Sequence, residues 1–204
     1  MIDEITNTIF QIIALALIPF LVFVIGKRSI RGFFKYIGLY GANGKSCMVA
    51  IAVSIIAFIP FVIFAADDEF MRVMHDPESM TGKFREMGFS VLSLIILVMA
   101  AVLKTAFSEE ILFRGFVAKR LISWLGFVKG NLIHAVIFGA LHSLLFLIIT
   151  DSIFYLSIIF IFPTLFAYIN AYVNEKMANG SIVPGWISHS LANLSSYITF
   201  GFLL

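Results

Sequence analysis

The chain has 204 residues, of which 61% are hydrophobic and 13% are charged, and its formal net charge is +2. A soluble domain has roughly 45–50% apolar and about 25% charged residues, so this composition excludes an ordinary soluble domain and indicates a multi-pass membrane protein. The single cysteine, Cys47, excludes an internal disulfide and a cysteine-based metal cluster.

A helix needs about 20 mainly apolar residues to cross a bilayer. The sequence therefore predicts an all-α transmembrane helical bundle of about six spans, with one or two interfacial helices. The predicted spans are 5–25, 46–66, 88–107, 131–149, 153–173 and 183–204. The whole chain, 1–204, is predicted to be one integral-membrane domain, and the residues capable of chemistry lie within about 88–204.

Basic residues are concentrated between the first two predicted spans, where no acidic residue accompanies them. They are Lys27, Arg28, Arg31, Lys35 and Lys45. Cytoplasmic loops of membrane proteins collect Lys and Arg, so this loop is predicted to be cytoplasmic and both chain ends to lie outside. The aromatic residues Phe33, Phe34 and Tyr36 favour an interfacial helix here. A second tilted or interfacial helix is predicted over 112–125, and 67–86 is predicted to be a polar outer loop.

The chain begins with Asp3 and Glu4 in place of a basic segment, so no cleavable signal peptide is expected. The short loops and small size favour a bacterial cell membrane.

Two adjacent carboxylates and an arginine interrupt the apolar sequence at Ser108–Gly115. Ionisable groups at membrane depth cost at least about 2.5 kcal/mol each and are usually functional. Glu110 and Arg114 are four residues apart and are predicted to pair on one helix face. Glu109 points elsewhere, and an unpaired, partly desolvated carboxylate is suited to act as a general base. Alternatively, both glutamates lie in water and anchor a helix end.

Later spans carry the candidate partners of these carboxylates. His142 follows Phe138 by four residues, and Asn193 follows His189 by four. His142 is either a functional histidine or a core histidine bonded to a backbone carbonyl. His189 and Asn193 either serve a site or form a structural polar seam between helices. His134 is predicted to be interfacial or to support the site.

Two chemistries use such a set of residues. In the preferred one, no cofactor is required: Glu109 activates a water that attacks a peptide carbonyl, His142 assists proton transfer, and His189 and Asn193 donate hydrogen bonds to the oxyanion. In the other, Glu109, His142 and His189 bind a zinc ion and leave one position open. The sequence has no His-Glu-x-x-His helix, which is the usual signature of such zinc sites.

Three motifs in the second half of the chain resemble those of the CAAX-protease and bacteriocin-processing family, also called the Abi family, and its type II CAAX prenyl proteases. The motifs are Glu109-Glu110-x-x-Phe-Arg114-Gly115, Phe138-x-x-x-His142 and His189-x-x-x-Asn193. Their order and approximate spacing agree with the family, and the resemblance covers about half of the chain.

This resemblance implies an intramembrane endopeptidase that processes prenylated CAAX proteins or matures bacteriocin-like peptides. It implies that Glu109 is the water-activating base, with His142 as its partner. His189 and Asn193 then line the oxyanion site, and Glu110, Arg114 and Phe138 shape the pocket. The expected partners are membrane lipid and a peptide or protein substrate, not nucleic acid, and the site is expected to open toward the cytoplasm.

Two other functions fit the sequence. One is a non-catalytic membrane protein for immunity or scaffolding that keeps the polar cluster for fold specificity. The other is a small proton-coupled transporter, in which an intramembrane carboxylate and histidines relay protons. Transporters of that kind are commonly built from repeated halves with broken helices, and no internal repeat is visible in this chain.

Overall fold

A computed structural model describes residues 2–204. Each regular element in that part of the chain is a helix, which confirms the predicted all-α class. In chain order, the helices are α1 (Ile2–Lys27), α2 (Phe33–Tyr36), α3 (Gly44–Phe64), α4 (Asp68–His75), α5 (Met80–Met87), α6 (Val91–Leu125), α7 (Phe127–Phe146), α8 (Ile153–Met177) and α9 (Val183–Ile198, extended by Thr199–Leu203). Five of them, α1, α3, α6, α7 and α8, are long and apolar enough to cross a membrane.

The last helix, α9, occupies the position of the predicted sixth span but is more polar than the other five. Three of its polar residues, Ser188, His189 and Ser190, are buried. The helix packs against α3 and α6, so these side chains face protein. The bundle therefore combines five apolar helices with a sixth whose polar face is turned inward.

The sequence predicts that a span ends at Phe107 and that a separate interfacial helix covers 112–125. Both boundaries are wrong, because Val91–Leu125 is one continuous helix of 35 residues. The charge of Glu110 is matched by Arg114 one turn later, so both charges are accommodated within the continuous helix. Gly115 does not interrupt the helix either; it makes room for Ile37, whose carbonyl oxygen would lie 2.7 Å from a Cβ at that position.

Helix α6 departs from α-helical geometry on both sides of Glu109. It has π-helical hydrogen bonding over Met99–Phe107 and again over Glu110–Ala118. In a π-helix each backbone hydrogen bond joins residues that are five apart, where an α-helix joins residues four apart. Such turns are rare and frequently occur at functional sites. Ser108 and Glu109 lie between the two π-helical segments, so the helix is widened just before and just after the candidate base.

Segments predicted on the same side of the membrane meet in the structure. We call one end of the bundle the basic end (28–43, 119–126 and 174–182) and the other the mixed end (65–90 and 147–155). At the basic end, Lys119 Nζ lies 2.6 Å from Glu175 Oε1. At the mixed end, the Tyr155 hydroxyl donates to Asp67. The alternating direction of the spans is therefore as the sequence predicts.

The segment predicted as a polar outer loop, 67–86, instead forms the short helices α4 and α5. Their hydrophobic faces bury Phe70 and Phe84 against the bundle. Asp67 begins α4 by accepting the Phe70 N–H at 2.8 Å. The Tyr155 hydroxyl and the Phe70 amide hold the pKa of Asp67 below its ordinary value. The stabilisation that these hydrogen bonds give the folded protein is therefore complete above the ordinary pKa of Asp. It is lost as the pH falls through the lowered pKa of Asp67.

Helices α7 and α8 approach closely at Gly139. A Cβ at this position would lie 2.0 Å from Thr164 Oγ1 and 2.4 Å from the Phe160 carbonyl oxygen. Small residues permit this kind of contact between membrane helices. Close packing of α7 and α8 holds Phe138, one residue before Gly139, against the site described below.

We expect Gly139→Ala to destabilise the protein by about 1–3 kcal/mol, because an added methyl group in a tightly packed contact forces the helices apart. Thermal unfolding of the purified protein in detergent measures the loss. Gly26→Ala is the matched control, since a Cβ at Gly26 has nothing within 4 Å. Equal melting temperatures for the two variants would contradict the close contact.

Candidate active site

Glu110 and Arg114 form a buried ion pair inside the bundle. Arg114 Nη1 lies 3.3 Å from Glu110 Oε1, and the two side chains are 1% and 0% exposed. The guanidinium also lies over the ring of Phe138, with Cζ 4.1 Å from the ring centroid. Burial of either charge is tolerable because the other compensates it. Glu110 is therefore not in the solvated position that the alternative interpretation requires.

His189 lies between the two glutamates. Its Nδ1 is 3.3 Å from Glu110 Oε1, and its Nε2 is 3.9 Å from Glu109 Oε2. The sequence predicts Arg114 as the partner of Glu110 but does not predict His189 there. The contact depends on how α9 is rotated against α6, which periodicity within one helix does not report. As a result, Glu109 and Glu110 are linked through one imidazole ring.

The protonation of His189 decides what it can donate. Carboxylates only accept hydrogen bonds, so Nδ1–H donates to Glu110. A neutral ring then has a lone pair on Nε2, facing Glu109. Only the imidazolium can donate from both nitrogens. A donor role for His189 Nε2 therefore requires the imidazolium form, with Nδ1–H bonded to Glu110.

His142 reaches the same region from α7. Its Nδ1–H donates to the Phe138 carbonyl at 2.9 Å, as in the core-histidine interpretation. This bond fixes the tautomer and leaves Nε2 as an acceptor. The ring packs on Phe138, with centroids 4.3 Å apart and planes tilted by 42°, and His142 lies near Glu109 and His189. The structural bond and a role in the site are therefore compatible.

Asn193 lies one turn after His189 on α9, and its Nδ2 donates to the carbonyl oxygen of Ala101 at 3.3 Å. Ala101 belongs to the first π-helical segment of α6. An amide nitrogen carries two hydrogens, so one remains for another acceptor. Asn193 thus ties α9 to α6 eight residues before Glu109 and keeps a donor free, which is compatible with the predicted oxyanion role.

Two residues near the site were not predicted from the sequence. Trp186 Nε1 donates to the Val102 carbonyl at 2.8 Å, and Gln11 Nε2 donates to the Lys104 carbonyl at 2.9 Å. Both acceptors lie in the first π-helical segment, so these bonds hold the backbone that leads to Glu109. A glutamine within an apolar span indicates that Gln11 has a polar partner inside the bundle, but nothing in the sequence marks the π-helix that it contacts.

His134 is fully buried, with Nδ1 3.4 Å from Asn131 Oδ1. Of the two predicted positions, this burial agrees with a residue that supports the site, because α7 turns this face toward α6 and α8. Asn131 in turn donates to the Tyr168 carbonyl at 2.9 Å. His134 lies close enough to Arg114 to interact with its charge. It extends the buried polar cluster around Glu110 and does not contact the candidate base.

Zinc chemistry would need Glu109, His142 and His189 to converge on one point. Among residues 2–204, no group of three His, Cys, Asp or Glu side chains has an arrangement that could hold a metal ion. The donor set therefore does not fit a three-ligand zinc site.

The comparisons with known proteins agree with the motifs. The family model of the type II CAAX prenyl endopeptidases, described as Rce1-like, matches residues 91–195, which is just over half of the chain. All seven candidate residues fall within that match: Glu109, Glu110, Arg114, Phe138, His142, His189 and Asn193. The searches of curated proteins and of solved structures found no match. The family match together with this geometry shows that the chain belongs to the Rce1-like family of type II CAAX prenyl endopeptidases, which are membrane proteases.

Proposed function

We propose that this protein is a glutamate-dependent endopeptidase that removes the C-terminal residues of prenylated CAAX-type substrates within the membrane. The single observation that carries the proposal is the placement of His189 between Glu109 and Glu110, inside the segment that matches the family. A prenyl chain delivers such substrates to the membrane, where an embedded site can reach them.

The reaction begins with a water bound between Glu109 and His142. Glu109 accepts one proton from this water, and the water oxygen bonds to the carbonyl carbon of the scissile peptide. His142 Nε2 accepts the second hydrogen of the water and orients it, because Nδ1–H is bonded to Phe138. The electron pair of the carbonyl bond moves to oxygen, giving a tetrahedral oxyanion.

His189 and Asn193 then donate hydrogen bonds to the oxyanion. One such donor is worth about 2.7–4 kcal/mol of transition-state stabilisation in acyl transfer. The carbonyl double bond then re-forms from the oxyanion, and the carbon–nitrogen bond breaks as the proton held by Glu109 passes to the leaving amine, which leaves Glu109 ionised. The new carboxylic acid still carries the second proton of the water and passes it through His142 Nε2 to the free amine. The products are a carboxylate on the prenylated protein and a C-terminal peptide with a protonated amino group.

We place the basic end of the bundle in the cytoplasm, because its exposed lysines and arginines lack acidic neighbours along 27–45. The multi-pass chain would then present its site to substrates made inside the cell. A Lys45→Cys variant should react with a membrane-impermeant maleimide only after cells are opened, with Cys47→Ser as its background. Labelling of intact cells would reverse the orientation.

The proposal is tested with purified protein in lipid nanodiscs and two peptides of one sequence, with and without a farnesyl group on the CAAX cysteine. Mass spectrometry of the products should show release of the terminal tripeptide from the farnesylated peptide. Cleavage should persist after treatment with a chelator. Equal cleavage of both peptides would favour a peptide precursor such as a bacteriocin, and no cleavage of either would favour the non-catalytic immunity or scaffold function.

A further inference from the structure

A buried asparagine outside the three motifs faces Glu110 from the end of α8. Asn174 is 1% exposed and lies in the π-helical turn Val173–Met177. Its Oδ1 accepts the N–H of Gly185 at 2.8 Å, at the start of α9. This bond fixes the beginning of the helix that carries His189 one turn later.

The other half of the Asn174 amide points toward the glutamate. Asn174 Nδ2 and Glu110 Oε2 each lie 2.6 Å from the point that a Cβ on Gly185 would occupy, so they flank the same position. Both atoms are buried, and neither makes a hydrogen bond, to the other or to a third group. An unsatisfied buried donor or acceptor is destabilising, and pairing a donor with an adjacent acceptor removes both penalties.

Glu110 has two oxygens with separate surroundings. Oε1 contacts Arg114 and His189, each at 3.3 Å. Oε2 faces Asn174 across Gly185. A donor at Oε2 fixes the rotation of the carboxylate plane, and that rotation sets the direction in which Oε1 holds the His189 ring. The absence of a side chain at Gly185 permits this approach.

We propose that Asn174 is a positioning residue: its Oδ1 anchors the start of α9, its Nδ2 pairs with Glu110 Oε2 after a small shift of the two side chains, and both contacts fix His189 beside Glu109. The role in catalysis rests on the proposed function. Asn174 does not touch the substrate, so its effect is on the orientation of His189. A misplacement of about 1 Å in a catalytic group can cost on the order of 100-fold in rate.

The test uses two variants that separate the two halves of the amide. Asn174→Leu keeps the approximate size and removes both bonds, while Asn174→Asp keeps the acceptor for Gly185 and removes the donor to Glu110. Both should lower kcat on the farnesylated peptide by roughly 10–100-fold and leave KM unchanged. The exposed residue Asn7 provides the control, Asn7→Leu, which should cleave at the wild-type rate.

An infrared measurement tests the same contact without activity. The carboxylate band of Glu110 is assigned from the difference between wild type and Glu110→Gln, and it should shift in Asn174→Leu because one hydrogen bond is lost. A wild-type kcat for Asn174→Asp would overturn the inference. If Asn174→Leu fails to fold, the kcat of Asn174→Asp alone tests the positioning role. If wild-type protein cleaves neither peptide, the proposed function fails, and an unshifted Glu110 band then overturns the positioning role independently.

Discussion

Glu109→Gln is expected to lower peptide cleavage by about 10²–10⁴-fold, because the amide cannot accept a proton from the attacking water. Glutamine has the same shape as glutamate, and Glu109 is 18% exposed, so the substitution should leave the fold intact. The change should appear in kcat, since the lost interaction belongs to the transition state. Initial rates of tripeptide release from the farnesylated peptide measure it.

The matched control is Glu86→Gln, at an exposed glutamate of the mixed end. It removes the same charge far from the polar cluster and should cleave at the wild-type rate. Thermal unfolding of both variants shows whether either has lost the folded bundle. A folded Glu109→Gln protein with wild-type kcat would exclude Glu109 as the base.

Arg114→Met is expected to destabilise the protein by about 3–5 kcal/mol, because it leaves the carboxylate of Glu110 buried without its main counter-charge. Both side chains of the pair are at most 1% exposed, so solvent cannot compensate. Methionine replaces much of the arginine stem against Phe138, which limits the loss from packing. Equilibrium unfolding in mixed micelles measures the free energy of unfolding.

A double variant, Arg114→Met with Glu110→Gln, separates charge from shape. It removes both members of the pair and leaves no uncompensated carboxylate, so it should be more stable than Arg114→Met alone. If the double variant is the less stable of the two, the cost arises from lost packing on Phe138 and the electrostatic explanation fails.

The parts of the site that could be predicted from the sequence are those governed by spacing within one helix. Glu110 and Arg114 meet as the four-residue interval predicts, and so do His142 and Phe138. The contact of His189 with Glu110 could not be predicted, because it depends on the rotation and depth of α9 against α6. The family motifs name the residues, but they do not say which atoms face each other.

The errors in the predicted fold also have a physical cause. Hydropathy treats Glu109, Glu110 and Arg114 as the end of a span, whereas mutual neutralisation keeps them inside a continuous helix. Hydropathy averaged over a window also fails to identify α4 and α5, because the charged residues on their outer faces offset the buried aromatic residues on their inner faces. The π-helical segments of α6 have no known signature in composition, so the carbonyls that Trp186 and Gln11 contact could not be identified from the sequence.

The central claim is that Glu109 activates a water and does not itself attack the peptide. A single-turnover cleavage of the farnesylated peptide in H₂¹⁸O tests it most directly, with enzyme in excess of substrate. Water attack places one ¹⁸O atom in the new carboxylate of the product during the first turnover, and mass spectrometry should detect that label. A first-turnover product without ¹⁸O, together with ¹⁸O on Glu109, would contradict the account, because it would require a covalent bond between Glu109 and the substrate.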